Sequence, residues 1–170
     1  MSIDTEKISY ASNAIINATI KLLETKPLEE ISVSDISAEA GVSRNSYYRN
    51  FPDKESIIRS YLNALLDQWD YDYNHTRKSD QSSELYLSFF SFLKDNEQFF
   101  LLLRRRNLFY LFREVYLSKY GPKVDQDNVS AYVVAFIQNG MLGWVDEWIE
   151  RGMQEPAQDM AGLISKASRN

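Results

Sequence analysis

The stretch ISVSDISAEAGVSRNSYYRNFPDK, residues 31–54, carries the reading on which the fold turns. Ser32 precedes Val33, Ile36 and Ala40 at helical spacing, and Asp35 sits at the N3 position of a capping box, with Asp in place of the usual Glu. Gly41 follows the last periodic residue, where a helix that ends in the left-handed region favours a residue without a Cβ. Ser43 can cap a second short helix, Arg44 to about Asn50, which Pro52 closes, and Asp53 caps another that begins at Lys54. Helix, glycine turn, helix is the helix-turn-helix outline.

The second helix of the pair is mostly polar and very short, so it has little core to fill. Its side chains suit DNA: Arg matches the O6 and N7 edge of guanine and Asn the N6 and N7 edge of adenine, while Ser, Tyr and Lys donate to phosphate oxygens. The candidate DNA contacts are Ser32, Ser43, Arg44, Asn45, Ser46, Tyr48, Arg49 and Lys54. Arg44 and Asn45 are assigned to bases and Tyr48 to phosphate. Ser32 and Lys54, at helix starts, could share a phosphate oxygen with a free backbone N–H; simple capping is the alternative for Ser32, and the two roles are compatible. Tyr47 is read as core.

The run ISVSDISAEAGVSRNSYYRNFPDKESII resembles the DNA-binding segment of the TetR family of bacterial transcriptional regulators. The resemblance rests on Gly41, Val42, Ser43, Tyr48, Phe51, Lys54 and Glu55. It implies a homodimer whose recognition helices enter the major groove at the two halves of a pseudo-palindromic operator. It also implies a C-terminal helical domain in which an effector binds and subunits pair.

Composition narrows the alternatives. Among 170 residues there is no cysteine and one histidine, His75, so no disulfide framework, thiolate nucleophile or Cys- or His-based metal site is expected, and no cofactor. With no Gly-rich phosphate loop and no evident partner for His75, an enzyme is not expected. No signal peptide or membrane-length apolar run is present, which predicts a soluble, cytoplasmic protein without a membrane partner. The net charge of −5 argues against a protein that coats nucleic acid through bulk charge. Positive charge is instead local: Arg44, Arg49 and Lys54 stand against Asp53 alone between Ser43 and Lys54.

The rest of the chain reads as helices throughout. Ile8, Ala11, Ile15, Ala18, Thr19 and Leu22 make an amphipathic first helix ending near Lys26-Pro27. Lys54 to about Tyr71 is a linking helix, which in the resembling family sets the separation of the two recognition helices, and Tyr71 to Ser83 reads as a loop. Helices follow at Glu84 to Lys94, Asn96 to about Arg105 and Asn107 to about Lys119, then a long one from Asp125 to about Arg151 and a last one after Glu155-Pro156. The expected architecture is all-α with about nine helices: a three-helix DNA-binding domain over residues 1–53, the linking helix 54–71, and an effector-binding and dimerisation domain over 72–170.

The aromatics Phe89, Phe92, Phe100, Phe109, Phe112, Tyr132 and Trp144 are candidates to line a ligand cavity. The long helix is apolar around more than one face, and with the last helix it resembles the family's four-helix dimer interface. Val133, Ile137, Gly140, Met141, Trp148, Met160 and Ile164 are the expected interface residues. Arg104-Arg105-Arg106 reads as a solvated or ion-paired helix end, with anion binding in an effector pocket as the sharper alternative. The functional expectation is a repressor released from its operator by a small-molecule effector; the alternative is a regulator or activator controlled by a protein co-regulator.

Overall fold

A computed structural model describes residues 10–77 and 82–167. The described residues form nine α-helices and no strand: α1 Tyr10–Thr25, α2 Val33–Glu39, α3 Arg44–Asn50, α4 Lys54–Thr76, α5 Ser82–Asp95, α6 Glu97–Arg105, α7 Phe109–Tyr120, α8 Asn128–Glu150 and α9 Ala157–Ala167. A single 3₁₀ turn, Leu28–Glu30, joins α1 to α2. Two compact units result, one of residues 10–68 with Arg106–Val115, the other of Trp69–Arg105 with 116–167. The division falls inside α4 and inside α7.

In the first unit, α1, α2 and α3 pack around Ile15, Leu23, Ile31, Ile36 and Tyr47, each no more than 1 % exposed, with Ile57, Ile58 and Leu62 of α4 equally buried. Apolar burial of this kind is the main stabilising contribution to a small helical unit. Arg106 ties the returning segment to α1 by donating to the carbonyl oxygens of Leu23 (2.7 Å) and Glu24 (2.9 Å). These are carbonyls of the last turn of α1, which has no further intrahelical donors and where a cation is favoured.

The second unit is built on the pairing of α5 with α9, with α6 against α8. Its core is aromatic: Phe90 and Phe100 are fully buried, and Trp148 lies edge-on to Phe90 with ring centroids 5.5 Å apart. Gly152 (φ 79°) and Met153 (φ 51°) make the reversal between α8 and α9. Lys94 Nζ donates to the Met153 carbonyl at 2.5 Å and so pins that reversal to α5. Arg104 pairs with Asp146 (2.9 Å) and with Glu150 of α8, so this part of the arginine run is ion-paired.

The sequence-based boundary that fails is the end of α4. The helix continues through Thr76, where a loop was expected from Tyr71. No Gly or Pro interrupts the segment, and Asn74, His75 and Thr76 turn their side chains onto the carbonyls of Asp70, Tyr71 and Asp72, each at 2.7 Å. Residues 78–81 of that expected loop lie outside the described residues.

Candidate nucleic-acid interface and ligand cavity

Local chemistry shapes the helix pair. Ser32 Oγ accepts from the Asp35 N–H (3.1 Å) and the Ser32 N–H donates to Asp35 Oδ2 (2.9 Å), a complete capping box. The Ser32 N–H and, after it, the Lys26 ammonium at 3.0 Å hold the Asp35 carboxyl down from its ordinary 3.8 to about 2. The box therefore keeps its charge above the unfolded pKa and loses it only as pH falls toward that lower value. At the other end, Gly41 lies at φ 64°, its N–H reaching the Ala38 carbonyl (3.2 Å) while the Val42 N–H reaches that of Ser37 (3.0 Å). This is a Schellman closure, which a Cβ at position 41 would strain.

Ser43 caps α3, its Oγ accepting from the Ser46 N–H at 3.1 Å. The helix is two-faced. Arg44, Asn45, Tyr48 and Arg49 are exposed, whereas Ser46 (8 % exposed) and Tyr47 (1 %) face the core. Positions i, i+1, i+4 and i+5 fall on one side of a helix, so the donors expected to read DNA share a surface. The inner side is anchored: Asn50 Nδ2 donates to the Ser46 carbonyl (2.6 Å), and its Oδ1 accepts from Ser12 of α1 (2.7 Å). α3 is thereby presented as a rigid ridge.

In the second unit a cavity of about 290 Å³ is walled by Trp69 and Tyr73 of α4, Phe89 of α5, Tyr116 and Tyr120 of α7 and Met141 of α8, with Asp70 and Gln138 among its polar groups. Beside it α8 leaves a second feature. Val129 (71 % exposed), Tyr132 (70 %), Val133 (51 %), Phe136 (82 %) and Ile137 (48 %) recur at helical spacing along its first half, uncovered in the single chain.

The comparisons agree with this arrangement. The model of the bacterial regulatory proteins of the tetR family matches residues 15–61, and that of a transcriptional regulator C-terminal region matches residues 80–170. The chain belongs to the TetR family. Among curated relatives, the HTH-type transcriptional regulator EthR of Mycolicibacterium smegmatis is 38 % identical over 66 residues, which are 39 % of this chain and 30 % of that protein. The nucleoid occlusion factor SlmA of Shewanella amazonensis is 34 % identical over 62 residues, 36 % of this chain and 31 % of that protein. The HTH-type regulator YxbF of Bacillus subtilis strain 168, itself uncharacterized, is 28 % identical over 174 residues, 92 % of this chain and 45 % of its own length. The chain thus spans less than half the length of each of these relatives.

Against the TetR frame, the expected site residues divide. Ser32, Ser43, Arg44, Asn45, Tyr48 and Arg49 are exposed on the helix pair, but Ser46 is turned inward and buried. Lys54, expected at a phosphate, has its ammonium against the carbonyl oxygens of Leu28 (2.5 Å), Ile31 (2.8 Å) and Glu29 (3.3 Å). An ammonium has three donors, and three carbonyls take them. Lys54 therefore clamps the 3₁₀ turn to the start of α4. Lys54→Met should lower the stability of this unit by about 1.5–3 kcal/mol, the range for hydrogen bonds to a charged group. Urea unfolding would show it, and the salt dependence of DNA binding should keep its wild-type slope; a shallower slope would return Lys54 to the phosphates.

Of the expected cavity residues, Phe89 lines the cavity, while Phe92 and Phe100 are buried behind it. Phe109 and Phe112 belong to the first unit, Trp144 does not reach the cavity, and Tyr132 points outward. Of the expected interface residues, Val133, Ile137 and Gly140 are exposed, but Met141, Trp148, Met160 and Ile164 are 8 % exposed or less within their own unit. Trp69, Tyr73 and Tyr120 were missed as cavity residues. The aromatic i, i+4 pair Trp69 and Tyr73 was their available signal, obscured by ending α4 too early. Among the described residues there is no group of His, Asp or Glu placed to hold a metal, and no helix is long and apolar enough to cross a membrane.

Proposed function

We propose that the chain is a homodimeric, operator-binding regulator, a repressor released by a small-molecule effector. The observation that carries the DNA reading is the two-faced α3: Arg44, Asn45, Tyr48 and Arg49 outward, Tyr47 and Ser46 locked inward. A rigid polar ridge of Arg and Asn is what base-edge readout requires. Two copies related by a two-fold axis need a site with the same symmetry, and the uncovered apolar face of α8 supports a second copy as the occupant. The recess of about 290 Å³ with its aromatic walls supports a small ligand over a protein co-regulator, since a co-regulator needs no such recess. α4 supplies residues to both units, so a ligand that prefers one setting of this helix would shift operator affinity, and operator would shift ligand affinity equally.

Selection of fragments from random duplexes by the purified protein tests the reading and should enrich a pseudo-palindrome. Enrichment of no symmetric site would overturn it. On that site Arg44→Ala should weaken binding by about 1–3 kcal/mol and relax preference at one base pair in each half. Equal weakening on every sequence would instead move Arg44 to the phosphate backbone.

A further inference from the structure

The chemistry of the second-unit cavity narrows what it can hold. Trp69 is the hub of an aromatic cluster: its ring lies 5.0 Å from Phe89, and 6.1 Å from both Tyr73, nearly parallel, and Tyr120, edge-on. Tyr116 continues the wall at 5.6 Å from Phe89 and 4.9 Å from Tyr120. Into this ring set comes one carboxylate, Asp70, and among the described residues no Lys, Arg or His lines the cavity.

Four of the hydrogen-bond donors along the wall are already committed. Tyr120 Oη donates to Asp70 Oδ2 (2.7 Å), Tyr116 Oη to Gln138 Oε1 (2.6 Å), Trp69 Nε1 to Ser88 (3.0 Å) and Asn74 Nδ2 to the Asp70 carbonyl (2.7 Å). Burial, with Tyr86 and Asp70 nearby, pushes the Tyr116 phenol up, so it remains a neutral donor to Gln138. The rest of the wall is chiefly aromatic, with the Tyr73 and Tyr86 hydroxyls and the Gln138 amide as its neutral polar groups. An anion would meet a carboxylate and, among the described residues, no cationic side chain. A cation would meet the negative faces of the rings and a carboxylate.

We infer that the cavity selects a small organic cation, an alkyl- or arylammonium, held by the Trp69, Tyr73 and Phe89 rings with Asp70 as counter-charge. This rests on reading the cavity as the effector site. The volume of about 290 Å³ limits the ligand to a small one, at the lower end of ligand cavities.

The test titrates the purified chain with benzyltrimethylammonium, with neopentylbenzene as its uncharged isostere, and with benzoate, by calorimetry. The cation should bind about tenfold or more tightly than the isostere, and benzoate more weakly than either. Asp70→Asn and Tyr73→Leu should each erode the preference for charge while circular dichroism shows the fold retained. If cation and isostere bind equally and both respond to Tyr73→Leu, the cavity remains a ligand site but the charge class is wrong. If none of the three binds a protein that still binds its operator, the cavity reading falls, and the inference with it. Cation binding indifferent to both variants would place the ammonium elsewhere and overturn the proposal.

Discussion

Tyr47→Ala should destabilise the first unit by about 3–5 kcal/mol, the usual cost of removing a large aromatic from a packed core, whereas Tyr47→Phe should be neutral or stabilising by up to about 1 kcal/mol. Tyr47 is 1 % exposed on the inner face of α3 and is the side chain on which the recognition ridge rests. Its hydroxyl is buried and finds no hydrogen-bond partner among the described residues, so the ring contributes and the oxygen does not. The two variants separate these parts of one side chain. The hydroxyl, unlike the ring, also responds to pH. Burial first, then Asp53 and Tyr48, raises the Tyr47 phenol above its ordinary 10.0. The unfolded chain therefore ionises before the folded one: the stability contributed by this group is intact below that value and declines as pH rises toward the folded pKa. Tyr47→Phe should remove this alkaline decline. Urea unfolding of both variants at neutral and alkaline pH measures each effect. A clear destabilisation by Tyr47→Phe at neutral pH would mean that the hydroxyl is bonded after all.

What could be read in advance follows the range of the interactions. Ser32, Asp35, Gly41 and Ser43 act within a few residues of themselves, through a capping box, a Schellman closure and an N-cap, and local pattern suffices to place them. Lys54 does not act locally. Its partners are the carbonyls of Leu28, Glu29 and Ile31, and nothing at position 54 announces a 3₁₀ turn more than twenty residues earlier. Ser46 shows the limit within one helix: its type suits DNA, but its register beside Tyr47 turns it inward. α8 fails for another reason. A helix apolar on several sides has no single hydrophobic direction, so periodicity could not say that Trp148 and Met141 face inward while Tyr132 and Phe136 face out. Packing of the whole unit decides that, as it decides that Arg106–Val115 returns to the first unit.

The outward face of α8 supplies the other large effect. Phe136 is 82 % exposed, with Val129 and Val133 a turn or two before it and Ile137 beside it, so Phe136→Asp removes no core contact and should leave the thermal unfolding of an isolated subunit nearly unchanged. In a two-fold interface the same substitution enters twice, setting two carboxylates into an apolar contact where neither has a partner. The dimer should dissociate, visible as a halved mass in sedimentation at concentrations where the wild type is paired. Operator binding should then fall about 10²–10⁴-fold, because the second half-site is no longer engaged as an intramolecular event, while affinity for an isolated half-site stays as it was. This pattern separates loss of pairing from damage to α3, which would weaken half-site and full operator by the same factor per contact. A Phe136→Asp protein that remained paired and bound full operator normally would show that the subunits meet through some other surface.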